Sequence, residues 1–245
     1  MLREMHNTFV YYYAQLPERL QRDVYLPILK ALQAHKEQCA VPFITVGEME
    51  LVLDSLVLEQ PLISFYQTYR FRTFNDLVFL IEFDYLLSVE KQETVTAEMI
   101  EQANKIAVYA RSVSDDPFIM VKTVYEYFCT RVVYDGELHS YAFNSAGSLL
   151  YGEAVCMGIA IGFKLVLDIL GIIPSFCVRG EHEGGAHAWS MVYLDGKWLP
   201  FDVTIGVCQT NKNNICYDGF GTLPYPEKYK PWEAFSLPNL RKEVL

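Results

Sequence analysis

Three residues, Cys156, His187 and Asp202, have types and spacings that suit catalysis by a thiol. Cys156 opens a predicted helix and His187 begins a predicted strand, while Asp202 lies on the next predicted strand, at residues 197–204. A nucleophilic thiol, an imidazole base and a carboxylate that orients the base together perform acyl transfer. The sequence therefore predicts a Cys-His-Asp acyl-transfer site.

The position of Cys156 at a helix start bears directly on its reactivity. Unpaired amides and the helix dipole favour a negatively charged sulfur there, so the thiolate forms more readily than in free cysteine. The alternative is an inert buried thiol, because free cysteine is among the most buried residue types. The neighbouring residues favour the reactive interpretation.

A predicted hairpin at Asp195-Gly196 brings the other two residues together. If these two residues form the whole turn, residue 189 opposes residue 202, and residue 187 opposes residue 204. His187 and Asp202 are then diagonal neighbours on one face of the sheet, within side-chain reach. A slip of one residue would separate them. The alternatives are an ordinary histidine and a carboxylate that caps the strand end.

Two further features near the predicted site have less defined roles. His182 lies in a charged loop, which predicts a solvated side chain, with the alternative that it lines a substrate groove. A metal site made of Cys177, His182 and His187 has suitable residue types but no recognised ligand spacing. The chain also contains no CxxC pair, so a structural zinc site has little support.

An acyl-transfer site also needs donors for the oxyanion. The backbone amide of Cys156 is one expected donor. A second is expected from the preceding loop, where the candidates are Tyr141, Asn144 and Ser145. The alternative for these three is ordinary loop polarity, since such residues are common in turns.

Local signals predict the helices and strands around these residues. The helix that Cys156 opens should end at Leu170, with Gly171 in the usual terminal position. A strand near 175–179 and a Gly-rich loop at 181–185 should follow, and the tail after Thr204 is expected to wrap the surface. Elsewhere, apolar periodicity, capping patterns and turn residues predict the remaining elements. Helices are predicted over residues 8–37 in two pieces, from the capping box at 45–48 to Pro61, over 96–112, and from Asp116-Pro117 to about Tyr134. Residues 64–73 and 77–87, around Asn75-Asp76, are predicted to form a hairpin or two short strands.

Composition narrows the classes of protein to consider. The 245 residues carry 20 basic and 30 acidic side chains, a formal charge of −10 that repels nucleic-acid phosphates. The best candidate for a membrane span, residues 158–176, is interrupted by Lys164, Asp168 and Pro174. The N-terminus lacks an apolar signal core, which favours a cytoplasmic protein, with export left open.

The six cysteines are too sparse to indicate a disulfide-stabilised scaffold. Five of them are interpreted as structural thiols, although Cys208 and Cys216 could pair across a loop in an exported protein. The weak boundary near residues 95–115 predicts two parts. An N-terminal lobe, helical with a short hairpin, covers residues 1–112, and a catalytic domain covers residues 113–245.

In these motifs the chain resembles the transglutaminase-like superfamily over about residues 115–207. The matching pieces are Gly152–Ala160, Leu170–Ile172, Cys177–Gly180, Gly185–Trp189, Asp195–Trp198 and Phe201–Thr204. The chain departs from the usual pattern at Ile159, where an aromatic residue commonly follows the glycine, and at Ile205, where tryptophan often follows the threonine. The N-terminal 95 residues resemble the helical extension of bacterial members.

The resemblance implies an α+β fold with a papain-like core, in which the helix carrying the nucleophile packs on a small antiparallel sheet. It implies Cys156 as nucleophile, His187 as base, Asp202 as orienting acid, and no cofactor. The expected activity is peptidase, deamidase or transamidase chemistry on a peptide or protein amide, since water and amines are both acceptors in the family. The sequence fixes neither the acceptor nor the oligomeric state.

Two other hypotheses about the function stay open. A catalytically silent module could use its N-terminal aromatic residues to bind a protein partner, although these could equally form a core. They are Tyr11, Tyr12, Tyr13, Phe65, Tyr66 and Tyr69. Alternatively, residues 208–245 could cover Cys156 and keep the enzyme latent. In that case truncation after about Val207 should raise the reactivity of the thiol.

Overall fold

The computed structural model describes residues 9–63, 66–211, 214–222, 227–232, 235 and 237–238. These residues form two compact units. One is Val10–Thr96, and the other contains Phe9 and the described residues from Ala97 onward. Helices and mainly antiparallel strands make up the chain, so the predicted α+β class is confirmed.

The unit Val10–Thr96 combines helices with a three-stranded antiparallel sheet. Its α-helices are α1 (Glu18–Leu20), α2 (Leu26–Gln33), α3 (Val46–Glu59) and the beginning of α4 (Val89–Val113), and a π-helical stretch, Gln21–Tyr25, joins the first two. Its strands are β1 (Gln38–Thr45), β2 (Tyr66–Phe74) and β3 (Leu77–Tyr85), in the order β1-β3-β2.

Two short-range signals in this unit, a capping box and a hairpin turn, agree with its structure. The backbone amide of Glu48 donates to Thr45 Oγ1 over 3.2 Å, and Glu48 Oε2 accepts from the Thr45 amide over 3.0 Å, which is the predicted capping box. Asn75 and Asp76 both have positive φ, as a two-residue hairpin turn requires. Strand β1 was not predicted, because it is held by pairing with the distant β3.

The second unit contains the predicted catalytic residues. It continues with α5 (Pro117–Arg131), β4 (Val133–Tyr134), β5 (Glu153–Ala154), α6 (Cys156–Leu170), β6 (Ser175–His182), β7 (Gly185–Leu194), β8 (Lys197–Phe201), α7 (Val203–Gln209) and β9 (Tyr229–Pro231). Strands β4 and β5 form a parallel pair, and the other four form an antiparallel sheet in the order β8-β7-β6-β9. Helix α6 is almost wholly buried and packs on β6 and β7.

Helix boundaries near the site agree with the predictions to within a few residues. Helix α6 begins at Cys156 and ends at Leu170, followed by Gly171 with φ of 70°. Helix α5 is capped by Asp116, whose Oδ1 accepts from the Phe118 amide over 2.8 Å. It ends at Arg131 rather than near Tyr134, because the next residues form strand β4.

The predicted hairpin has the expected two-residue turn, with Leu194 paired to Lys197 and Ser190 to Phe201. However, the strand ends at Phe201, so its predicted continuation to Thr204 is wrong. Asp202 caps α7, where its Oδ1 accepts from the Ile205 amide over 3.2 Å. When an aspartate side chain accepts from the backbone of the turn that follows it, this hydrogen bond favours the start of a helix over continued strand pairing.

Two loop predictions also need correction. The expected loop at 181–185 shrinks to a turn at Glu183 and Gly184, both with positive φ, and His182 ends β6. The tail beyond Thr204 does not simply wrap the surface, because it supplies α7 and strand β9. The latter pairs with β6 and buries Tyr229 completely.

Two expectations from composition concern membranes and cysteines. In the part of the chain that the structure describes, no helix is long and apolar enough to cross a membrane. All six cysteines are free thiols, so the alternative pairing of Cys208 with Cys216 is not formed. Cys129 and Cys177 are buried, and burial raises the pKa of each to about 12, as suits structural thiols.

A buried ion pair lies within α6. Lys164 Nζ is 2.8 Å from both carboxylate oxygens of Asp168, and it also donates to the Phe9 carbonyl over 3.3 Å. The two side chains are 0% and 2% exposed. Burial raises the pKa of Asp168 to about 6, against the opposing effect of the Lys164 charge. Each of these two buried charges is therefore stabilised by the other.

The variant Lys164→Met should lower the free energy of unfolding by about 3–5 kcal/mol at pH 7, because it leaves a buried carboxylate without its partner. Urea denaturation measures this. A carboxyl group whose pKa is raised in the folded state binds its proton more tightly there, so this variant should regain stability as the pH falls. The double variant Lys164→Met/Asp168→Leu should recover most of the loss. A single variant as stable as the wild type would contradict this account.

Candidate active site

Cys156 occupies the first position of α6 and is partly exposed. The preceding strand β5 pairs with β4, and the Val155 amide donates to the Ala142 carbonyl over 3.1 Å, so the chain enters the helix in a fixed direction. Backbone amides in a first helical turn have no acceptor within the helix. Together with the helix dipole they make the start of α6 suitable for a negatively charged group.

Gly158 allows the loop before Cys156 to lie close to α6. A Cβ atom at this position would overlap the Ala142 carbonyl oxygen, and it would lie only 3.0 Å from the Asn144 carbonyl oxygen. Ser148 Oγ donates to the Gly158 carbonyl over 2.7 Å and fixes the same loop from the other side. The close packing of this loop against α6 therefore requires glycine at position 158.

His187 projects from β7 and contacts both other members of the predicted triad. Its Nε2 atom lies 2.7 Å from Asp202 Oδ2 and donates to that carboxylate. The side chain also forms a hydrogen bond with Cys156, for which Nδ1 is the remaining ring nitrogen. The structure therefore brings Cys156, His187 and Asp202 into one hydrogen-bonded chain.

The surroundings of His187 favour its protonated form. Burial lowers the pKa of the imidazole, but hydrogen bonds and charge interactions with Asp202 and Cys156 outweigh this and raise the pKa to about 9. At neutral pH the group is then an imidazolium beside a thiol at a helix start. Such a neighbour stabilises a thiolate, which is the nucleophilic form of cysteine.

Asp202 is completely buried and has several hydrogen-bond donors. Oδ2 accepts from His187 Nε2 and from the Tyr229 hydroxyl, the latter over 2.6 Å, while Oδ1 accepts from the Ile205 amide. The cap that was the alternative interpretation of Asp202 is formed by the same carboxylate that accepts from His187. Oδ1 forms the helix cap, and Oδ2 accepts from both His187 and Tyr229.

Sequence reasoning missed Tyr229 and misplaced His182. Tyr229 lies on the three-residue strand β9, too short for any periodicity to identify. The His182 ring stacks on Tyr229 at 4.4 Å between centroids and lies 5.3 Å from the His187 ring. His182 is therefore a half-buried wall of the site, and its predicted place in a solvated loop is wrong.

The loop candidates for a second oxyanion donor have contacts of their own. Asn144 Oδ1 accepts from the Ala146 amide over 2.9 Å, and the Tyr141 hydroxyl donates to Glu153 Oε2 over 3.3 Å. Asn144 and Ser145 are both buried. The expectation that one of the three supplies a second donor stays a prediction.

Among the residues that the structure describes, no group of three or more His, Cys, Asp or Glu side chains could hold a metal ion. The alternative metal site of Cys177, His182 and His187 is therefore not formed. Cys177 lies in the core, and His187 is bonded to Asp202 instead.

Comparison with protein families agrees with this geometry. A family model described as "Transglutaminase-like superfamily" matches residues 104–203. These residues form a transglutaminase-like domain. The match includes all three members of the hydrogen-bonded chain and ends immediately after Asp202 and Val203, so most of α7 and all of β9 lie outside it.

Solved structures with related backbones include a protein described as a TGase, with a TM-score of 0.43 and 14% identity over 72% of this chain and 52% of that chain. Another is a candidate cysteine protease from Cytophaga hutchinsonii, with a TM-score of 0.36 and 14% identity over 56% and 61% of the two chains. A candidate protease from Parabacteroides distasonis has a TM-score of 0.33 and 12% identity over 54% and 35%. The chain thus spans less than two thirds of each of these proteins. A search of curated proteins found no match.

The variant Asp202→Asn should lower the pKa of His187 from about 9. The imidazolium of the transglutaminase-like domain would lose its carboxylate, while the burial that disfavours the charged ring would remain. NMR titration of the imidazole signals measures this. The signals of His139, which contacts Asp135 and not Asp202, serve as the internal control. An unchanged His187 titration would show that Asp202 does not support the charge.

Proposed function

We propose that this protein catalyses thiol-dependent acyl transfer from a peptide or protein amide, with Cys156 as nucleophile, His187 as base and Asp202 as orienting acid. The hydrogen-bonded chain from Cys156 through His187 to the buried Asp202 carries this proposal. The match of residues 104–203 to the transglutaminase-like superfamily supports it independently.

In the first half of the reaction, the Cys156 thiolate attacks the carbonyl carbon of the amide. The Cys156 backbone amide, at the start of α6, is placed to donate to the developing oxyanion. The carbon–nitrogen bond then breaks, and the His187 imidazolium gives its proton to the departing nitrogen. The products of this half are an amine or ammonia and a thioester on Cys156.

In the second half, an acceptor attacks the thioester. Neutral His187 removes a proton from water or from an amine as the new bond forms, and the sulfur departs as a thiolate. The imidazolium is restored, and Asp202 Oδ2 again faces a positive charge. Water as acceptor gives hydrolysis or deamidation, while an amine gives transamidation. We expect water to be the main acceptor, because it is always present in an open groove.

The rival proposal is a catalytically silent module that retains the triad. The partial exposure of Cys156 and its hydrogen bond to His187 favour an enzyme over this rival, since a silent site has no need of either. Of the aromatic residues expected to bind a partner, Tyr12 is buried and belongs to the core of its unit, whereas Tyr69 is exposed. Phe65 and the side chain of Tyr66 lie outside the described residues.

Replacing the nucleophile provides the test of this function. Cys156→Ala should lower the release of ammonia or of new amino termini from an unfolded protein substrate by about a thousandfold or more, because removal of a nucleophile leaves only residual catalysis. The matched control is Cys208→Ala, which changes an exposed cysteine on α7 and should keep activity within about twofold. Equal activity in Cys156→Ala and the wild type would overturn the proposal.

The acceptor can be identified in the same assay. With a labelled primary amine in excess, we expect most product to carry the new carboxyl group that hydrolysis or deamidation leaves, and little to carry the label. Mass spectrometry of the substrate peptides separates the two products. Predominant incorporation of the amine would instead make the enzyme a transamidase, with the same triad.

A further inference from the structure

We propose that the C-terminal segment, residues 217–222 and 227–231, completes the active site, with Tyr229 as the positioning residue for Asp202. The inference rests on the proposed function, because it assigns a role within that site. The segment lies beyond the region that matches the family model, which ends at residue 203.

Tyr229 holds the Asp202 side chain from the side of β9. Its hydroxyl donates to Oδ2 over 2.6 Å, and the same oxygen accepts from His187 over 2.7 Å. The phenol ring is fully buried, lies edge-on to Trp189 at 5.3 Å and stacks on His182. Because these neighbours fix the ring, the hydroxyl has a defined position relative to the carboxylate.

The same segment holds the Asp202 backbone. The Asp202 amide donates to the Gly219 carbonyl over 2.8 Å, and Phe201 forms an antiparallel bridge with Phe220. A Cβ atom at Gly219 would overlap the Asp202 carbonyl oxygen, so this approach is available only to glycine. The segment therefore fixes both the main chain and the side chain of the orienting acid.

A buried carboxylate needs donors, and their placement decides which way its oxygens face. With Tyr229 and the Ile205 amide in place, Oδ2 is directed at His187, whose imidazolium supports the Cys156 thiolate. This arrangement opposes the idea that residues after 207 merely cover the cysteine. Loss of the segment should reduce thiol reactivity, whereas removal of a cover would raise it.

Other titratable groups near the carboxylate must be considered in any pH experiment. Cys208 on α7 and Tyr125 on α5 both interact electrostatically with Asp202, and His182 lies beside His187. Tyr125 is also a suitable control. It is fully buried, and its hydroxyl donates to the Cys216 carbonyl over 3.0 Å instead of to the carboxylate.

The test compares Tyr229→Phe with Tyr125→Phe in the full chain, by the pH dependence of Cys156 alkylation with iodoacetamide. Each variant loses one buried hydroxyl and keeps its ring. For Tyr229→Phe we expect the acid limb of the profile to move upward by about one pH unit, with about a tenfold slower reaction at pH 6, because Oδ2 is no longer held toward His187 and the imidazolium loses part of its support. Tyr125→Phe should keep the wild-type profile, even if both variants melt at a lower temperature.

Gly219→Ala provides a second variant in case Tyr229→Phe does not fold. It leaves the Tyr229 hydroxyl in place but displaces the Asp202 backbone. The acid limb of the alkylation profile is therefore expected to move upward again. A wild-type profile in Tyr229→Phe, or equal changes in the two Phe variants, would overturn the inference while leaving the proposed function intact. An ordinary thiol profile in the wild type would contradict the proposed function instead.

Discussion

The Asp202 carboxylate is the constraint on which the rest of the candidate site depends. An anion with no exposed surface is stable only when donors and a positive charge surround it. Here those groups come from three elements: the imidazole from β7, an amide from α7 and a hydroxyl from β9. The meeting of these elements at one side chain explains why a helix begins directly after β8 and why a short strand joins the sheet beside β6.

Cys156 and His187, the proposed nucleophile and base, are positioned by different elements. Cys156 is held by the start of a buried helix, whose direction is set by the β4–β5 pair and by the loop packed at Gly158. His187 is held by a strand in the middle of a sheet, with β6 on one side and β8 on the other. Because both elements are packed on each other, the sulfur and the imidazole need little reorganisation to react.

Local chemistry made much of this structure predictable, and long-range pairing accounts for the rest. The start of α6, the cap at Asp116 and the turn at Asp195-Gly196 each depend on a few neighbouring residues, and each was predicted. The strands β1 and β9 are held by distant partners, and β9 brought Tyr229, for which the sequence has no local signal. The predicted register of the β7–β8 hairpin is correct, although β8 ends at Phe201. His187 and Asp202 are therefore in contact as expected, but Asp202 caps α7 instead of lying on the strand. The division into an N-terminal lobe of residues 1–112 and a catalytic domain of residues 113–245 stays a proposal.

The central claim is that Cys156 is a thiolate paired with the His187 imidazolium at neutral pH. The most direct measurement is the rate of Cys156 alkylation by iodoacetamide across pH, followed peptide by peptide with mass spectrometry, in the wild type and in His187→Ala. We expect rapid modification below pH 7 in the wild type, its loss in the variant, and unchanged modification of the exposed Cys208 in both. Slow modification of Cys156 in the wild type, with the profile of an ordinary thiol, would contradict the account and favour a silent binding module.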